Sequence, residues 1–334
     1  MKIIIPMAGW GSRLRPHTLK VPKPMVKIAG KPIVQRLVEN LATSVSEPIE
    51  EVNFIIRKEF GQETEDKLME VAKALGTKGI ISYQESPEGT AHAIYCAKES
   101  LKGNVIVAFA DTLFKTDFKI DASKDGVIWV NKIEDPSAFG VVKLDENNVI
   151  TDFVEKPTEF VSDLAIIGIY YFKSGEDLKT EIEYLLDNDI REKGEYQLTN
   201  ALESLKQKGA KFVPGEVIEW LDCGNKDACI YTNQRVLEIN KESEKFQFSS
   251  NFNNSIIIEP CFIDEGVEIT NSVVGPHVSL GKGTKINGSV VKNSIIQENT
   301  TVEFSTLQNA MLGSFVKVAN QCQDLSLGDY TICK

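Results

Sequence analysis

Hydrophobic and polar positions along the chain fall into two regimes. Over the first two-thirds, short β-branched runs alternate with stretches whose apolar residues recur every three to four positions. "KIIIPM" (2–7), "VNFIIR" (52–57), "IISYQ" (80–84) and "NVIVAFAD" (104–111) are almost continuously apolar, as strands buried on both faces of a parallel sheet require. Between them, "IVQRLVENLA" from Ile33, "TEDKLMEVAKAL" from Thr64 and "AHAIYCAKESL" from Ala91 read as helices. This βαβαβαβ series predicts a doubly wound α/β sheet. "GVIWVNKI", "FGVVKLD", "VITDFVEK" and "LAIIGIYYF" follow as a run of strands, so the sheet is expected to be mixed beyond Asp111. Helices near 175–188, 195–208 and from Lys226 to Ile239 complete this part.

The texture changes after "INKESEKFQFSS" (239–250), which reads as a polar linker. Beyond it, apolar residues recur at steps of five or six: Ile257, Ile263, Ile269, Val274, Leu280, Ile286, Val291, Ile296, Val302, Leu307, Leu312 and Val318. Neither the strand period of 2 nor the helix period of 3.6 fits. A hexapeptide repeat does, in a short left-handed parallel β-helix with three strands per coil. The expected organisation is one domain over 1–240 and a β-helix over 251–334. A stripe that packs on itself, in about three or four coils, should leave residues 1–240 able to fold and keep their catalytic groups without it, and its open ends suggest a homo-oligomer.

Charge is distributed unevenly. The chain of 334 residues carries a net charge of −11, yet residues 1–36 hold eight Lys or Arg and no acid, leaving 29 basic against 48 acidic residues elsewhere. An acidic protein has no basic excess with which to displace counterions from nucleic acid, so a small phosphorylated ligand is the expected partner of the N-terminal cations. Six scattered cysteines without a C-x-x-C pair, and three histidines, argue against a zinc site and for reduced thiols in a cytoplasmic protein. "KIIIPM" is too short for a signal peptide, and no run reaches the roughly 18 apolar residues needed to span a bilayer.

"PMAGWGSRLRPHTLKVPKP" (6–24) follows directly from the first strand, at the edge where open α/β sheets bind ligands. No G-K-[ST] makes it a P-loop, and no third glycine makes it a dinucleotide fingerprint. Gly9 and Gly11 open backbone N–H groups toward phosphate, while Arg13 offers a bidentate fork and Lys23 a point charge.

This stretch resembles the signature G-x-G-[ST]-R-L-x-P-x-T-x(3)-P-K of the sugar-1-phosphate nucleotidylyltransferases. The resemblance continues in order: "QESPEGTAHA" is similar to the family's base-binding loop, "FADTLF" and "WLDCGN" to its metal-binding aspartate segments, "FGVVKLD" and "VEKP" to its sugar-phosphate segments. It implies a Rossmann-like sheet over about residues 1–240, with a hexapeptide tail found in many members. It also implies attack of a sugar 1-phosphate on the α-phosphorus of a nucleoside triphosphate. Arg13 and Lys23 would bind the triphosphate, with Ala8, Gly9, Gly11, Gln84 and Gly89 around the nucleotide. Asp111 and Asp222 would hold Mg²⁺, an ion that takes one or two carboxylates and fills its octahedron with phosphate and water oxygens. Gly140, Glu155 and Lys156 would receive the sugar phosphate.

A Gln84 amide suits the N3–H and O4 edge of uracil or thymine, whereas guanine's paired donors suit a carboxylate such as Glu85. Uracil or thymine is therefore the expected base, and the resemblance then implies thymidylyl or uridylyl transfer to glucose 1-phosphate. Pro24 after Lys23, where the thymidylyl branch has Gln, keeps guanylyl transfer to mannose 1-phosphate open. A catalytically silent regulatory subunit of this architecture is the rival class, and His277 raises an acyltransferase on the β-helix. His17 reads as loop scaffolding.

Overall fold

The computed structural model describes residues 1–117, 119–242, 251–322 and 324–333. The chain divides into two compact units, Met1–Gly9 with Leu37–Trp220, and Trp10–Arg36 with Leu221–Lys334. This is a different division from two domains in sequence. The loop after the first strand and the helix before the repeats go with the repeats. The linker expected over 239–250 lies mostly outside the described residues.

In the first unit, the strands β1 (Lys2–Pro6), β2 (Glu51–Ile56), β3 (Lys78–Tyr83), β4 (Val105–Ala108), β5 (Gly126–Lys132), β6 (Gly140–Leu144), β7 (Ile150–Glu155), β8 (Leu164–Phe172) and β9 (Phe212–Glu216) form one nine-stranded sheet. Its main path runs β7-β6-β8-β4-β1-β2-β3, and β5 joins β8 to β9. β1 lies parallel between β2 and β4, with Lys2 opposite Glu51 and Val105. β8 is antiparallel to β4, β5 and β6, which makes the sheet mixed as expected. Ile3, Ile4, Ile5, Val105, Ile106 and Val107 are fully buried, so the runs of β1 and β4 mark strands covered on both faces, whereas "IISYQ", expected to be buried likewise, lies in the edge strand β3 and is only half-buried.

The helices are α1 (Ile33–Ser44), α2 (Gln62–Ala74), α3 (Thr90–Tyr95), α4 (Gly175–Asp187), α5 (Leu198–Gln207) and α6 (Lys226–Ile239). α4 starts on Ser174, whose hydroxyl accepts the Asp177 N–H at 3.1 Å. α3 is shorter than its apolar period. Past Tyr95 the bonds tighten to the third residue, as from Ser100 N–H to Ala97 O at 2.8 Å, while Ala97 and Leu101 stay buried. Among the described residues, no helix is long and apolar enough to cross a membrane.

In the second unit the repeats form three parallel sheets of six, four and five strands. On the six-stranded face, Asn251 pairs with Glu268, then Lys285, Thr301, Lys317 and Ile332 follow in turn. The fold is consistent with the expected left-handed β-helix, but its coils advance 17, 17, 16, 16 and 15 residues along this series, which accounts for the irregular steps. Among the described residues five coils replace the expected three or four. All of the stripe from Ile263 to Val318 lies in one buried cluster, and Ile257 packs against it. Asn271, Asn293, Asn299, Asn309 and Asn320 turn corners at positive φ, a conformation that Asn tolerates. Serines link successive coils: Ser289 N–H donates to Ser272 Oγ at 3.0 Å, and Ser305 N–H to Ser289 Oγ at 3.1 Å.

Candidate active site

Within the first unit the sheet's carboxyl edge carries Ala8, Gly9, Gln84, Gly89, Asp111, Gly140, Glu155 and Lys156. The Ala8 carbonyl accepts from Arg57 Nε at 2.6 Å, which fixes the chain as it leaves β1. Gln84, buried at the end of β3, directs its Nε2 to Gly89 O at 3.4 Å and His92 Nδ1 at 3.2 Å. Gly89 has φ +112, and a Cβ there would meet Tyr196 O at 2.5 Å. Only glycine fits that turn. Glu85 points elsewhere: its exposed carboxylate pairs with Lys58 Nζ at 2.6 Å, and this partner holds it below the usual carboxylate range.

Asp111 is placed by a break in β8. Gly168 takes φ +84 where the register of β8 on β5 shifts between Ile166 and Tyr170. Phe109 N–H donates to Gly168 O and Thr112 Oγ1 to Ile167 O, both at 2.9 Å, so bonds to the irregular stretch straddle Asp111. The buried Tyr170 phenol lies within reach of both the Asp111 and the Glu155 carboxylates. Burial first, then the Glu155 and Asp111 carboxylates, push its pKa well up, keeping it a neutral donor. Gly140 opens β6 opposite Glu155, and a Cβ on it would lie 3.1 Å from Glu155 Oε2. Lys156, at φ 43, brings its exposed Nζ to 3.6 Å from Glu155 Oε1.

Residues 189–199 support this half, and the helix expected from 195 starts only at Leu198. Arg191 Nη2 bonds Glu88 Oε2 at 3.0 Å and the Tyr196 hydroxyl at 2.8 Å. Lys193 Nζ donates to the Glu155 and Lys156 carbonyls at 3.3 and 3.0 Å. One strap thus ties the Gln84–Gly89 loop to the Glu155–Lys156 turn. Thr199 lies beside Gly140, its Cγ2 3.6 Å from where a Cβ would be, and its buried Oγ1 has no hydrogen-bond partner among the described residues. The dense charge of "REKGE" (191–195) directly before an apolar period was the available signal.

The second unit holds Gly11, Arg13, Lys23 and Asp222. Gly11 sits at φ 62 and caps a 3₁₀ turn, Ser12–Leu14, from which Arg13 projects into solvent. A Cβ on Gly11 would meet Lys23 Cβ at 2.7 Å, so the glycine lets the buried lysine stem fold against the turn. Thr18 Oγ1 closes the loop on Gly11 O at 2.8 Å. Asp222 precedes Gly224, where a Cβ would lie 2.8 Å from Asp222 Oδ2: the carboxylate is folded into space that only glycine leaves. Its carbonyl accepts from Thr232 Oγ1 at 2.6 Å, anchoring the strand end to α6. Both Asp222 and Lys23 act on Cys223, whose buried thiol is pushed up chiefly by its Cys229 neighbour and by burial. His277 Nε2 is engaged with Glu238 Oε1 at 2.9 Å.

Among the described residues no three His, Cys, Asp or Glu side chains cluster as a metal cage. A carboxylate completed by phosphate and water oxygens suits Mg²⁺ better than zinc, and the pocketed Asp222 fits such a role.

A parallel-cored α/β sheet with a glycine-cation loop after its first strand, and acids at its carboxyl edge, defines a nucleotidyltransferase. The family described as nucleotidyl transferase matches residues 2–239, and the chain belongs to it. It is 30% identical over 340 residues to the bifunctional protein GlmU of Methanococcus maripaludis, covering 94% of this chain and 78% of that one. It is 29% identical to a glucose-1-phosphate thymidylyltransferase of Streptomyces antibioticus, covering 99% and 98%. Over 181 residues it is 38% identical to the mannose-1-phosphate guanylyltransferase catalytic subunit beta of Drosophila melanogaster, 51% of this chain and 48% of that one. In fold it is similar to a UDP-glucose pyrophosphorylase solved with UDP-glucose, at TM-score 0.59 and 22% identity over 71% of this chain and 98% of that one. A nucleoside-diphosphate-sugar pyrophosphorylase from Vibrio cholerae gives TM-score 0.60 at 23% identity, over 70% and 99%.

Proposed function

We propose that the chain transfers a nucleotidyl group from dTTP or UTP to glucose 1-phosphate, releasing pyrophosphate and forming a nucleoside-diphosphate sugar. The observation that carries this reading is the loop of the second unit, where Gly11 lets Lys23 fold against the turn bearing Arg13. In the reaction an oxygen of the sugar 1-phosphate bonds to the α-phosphorus, and the bond from that phosphorus to the bridging oxygen of pyrophosphate breaks. Such transfer needs alignment and charge neutralisation more than covalent help. Arg13 and Lys23 hold the triphosphate, and Lys156 neutralises the sugar phosphate. Glu155 and the Thr199 hydroxyl receive sugar hydroxyls where Gly140 permits close approach. Mg²⁺, held by Asp111 and Asp222, would supply Lewis-acid neutralisation of the phosphates. With its nitrogen directed to Gly89 and His92, Gln84 presents its oxygen to a pyrimidine N3–H.

Guanylyl transfer to mannose 1-phosphate is the second reading, favoured by the 38% identity over 181 residues to the Drosophila subunit. Organisation as a catalytic region over 1–240 and a β-helix over 251–334 is part of the proposal. So are a cytoplasmic location, in keeping with six free cysteines, and homo-oligomer assembly through the β-helix. Pyrophosphate release across a panel of triphosphates and sugar 1-phosphates, with Mg²⁺ and with chelator, tests the activity. Release with no pair would end it in favour of the silent-subunit reading.

A further inference from the structure

The five-stranded face of the β-helix consists of Cys261–Ile263, Val278–Leu280, Ile295–Ile296, Met311–Leu312 and Ser326–Leu327. Cys261, Ile263, Val278, Leu280, Ile296 and Leu312 belong to the interior cluster, which leaves one alternate position per strand for the outside. Those positions are in register: Phe262 with Ser279, Ser279 with Ile295, Ile295 with Met311, Met311 with Ser326. An outer column of a β-helix is ordinarily solvated. Here Ser279, Ile295 and Met311 are buried.

The loop Trp10–Arg36, in the same compact unit, touches this face from the first coil to the last. A Cβ on Gly30 would run into the Phe262 ring. Fully buried Asn233 of α6 accepts from the Ala29 N–H at 2.9 Å and from Ser279 Oγ at 2.7 Å, so one amide oxygen joins loop, helix and second coil. Lys27 pairs with Glu298 at 2.5 Å beside the third coil. At the far end His17 Nε2 lies 3.2 Å from Ser326 Oγ, and a Cβ on Gly328 would meet Pro16 Cβ at 2.9 Å. The two clamps bracket Lys23, which lies between His17 and Ala29.

We infer that this face of the β-helix is the backing of the phosphate-binding loop, with Ser279 and Ser326 as positioning residues that hold the conformation of the segment carrying Arg13 and Lys23. The inference rests on the proposed activity for its kinetic consequence, but not for its structural one. The tail is then more than an assembly module. It sets how readily the loop grips a triphosphate.

The test compares full-length Ser279→Ala, Ser326→Ala and the double variant with the parent. Lys285→Gln is the control, since its exposed side chain sits on the six-stranded face, paired with Glu268 at 3.1 Å. Amide hydrogen exchange over residues 10–36 reads the clamp directly and should quicken severalfold in both serine variants. Exchange unchanged from parent and control overturns the inference whether or not the chain is active. In pyrophosphate release, loss of one neutral hydrogen bond should raise the KM for the triphosphate roughly fivefold, with the KM for the sugar 1-phosphate and the melting temperature close to the parent. Ser326→Thr, which keeps the hydroxyl, should recover the parent's values. Equal weakening of both substrates, or a parallel fall in melting temperature that Thr does not reverse, would reduce both serines to fold stability and sink the positioning role. A parent releasing no pyrophosphate defeats the proposed activity, and the exchange data still decide the clamp.

Discussion

Asn in place of Asp111 or Asp222 keeps shape and removes charge. Each is expected to cut turnover by at least about a hundredfold at saturating Mg²⁺, because metal-assisted neutralisation is worth several kcal/mol, with circular dichroism unchanged. Turnover near that of the parent would take that residue out of the metal site. Gln84→Ala tests the base: the kcat/KM ratio of a pyrimidine to a purine triphosphate should narrow. A constant ratio would place base reading elsewhere. The outward Glu85–Lys58 pair already weakens the carboxylate alternative. Gly89→Ala is a harsher change, since a Cβ there meets the Tyr196 carbonyl at 2.5 Å with φ at +112. It should destabilise by about 2 kcal/mol through backbone strain and raise the KM for the triphosphate. Unchanged denaturant midpoint and KM would mean that the loop shifts freely, contrary to its bonds with Tyr196 and Gln84.

Elements show why part of this was readable in the sequence. Period and composition mark the buried strands, the amphipathic helices and the hexad stripe, because each follows from which side chains must leave water. Gly11, Lys23 and Gly89 stand out as well, since glycine and charge beside a strand end have few other uses. Invisible were features that depend on partners distant in sequence: the break at Gly168 that places Asp111, the strap around Arg191 and Lys193, and the buried state of His17. That histidine reads as scaffolding, and the structure gives the reason. Burial, with the Lys226 charge second, lowers its pKa from the ordinary 6.5 to about 4. Its neutral form is favoured in the folded chain, so the associated stability is full above pH 6.5 and is lost as pH falls toward 4. The loss approaches something on the order of 3 kcal/mol. His17→Gln should therefore show a flatter melting-temperature curve between pH 6.5 and 4 than the parent. Parallel curves would show that His17 is protonated as easily folded as unfolded.

At the scale of the whole molecule, the compact units change the expected result of removing the tail. Sequence spacing suggested a self-packed stripe whose loss would leave residues 1–240 with their catalytic groups in order. The first unit does carry its own core, a cluster including Ile4, Val107, Ile128, Phe172, Leu202 and Phe212. Residues 10–36, however, pack on the five-stranded face, and deleting that face would bare Lys27, Gly30 and His17 together, while the Ala29 bond to Asn233 of α6 stays. A chain ending at Ile239 should thus keep a cooperative thermal transition and most of its far-ultraviolet dichroism, and run smaller by light scattering. It should release pyrophosphate at no more than about a tenth of the parent's rate, because the loop bearing Arg13 and Lys23 has lost two sets of hydrogen bonds, each worth about 1 kcal/mol. Full turnover in the truncated chain would show that the loop holds its shape alone, and an unchanged particle size would move the assembly contacts off the β-helix. Loss of the cooperative transition would mean that the sheet itself depends on the repeats.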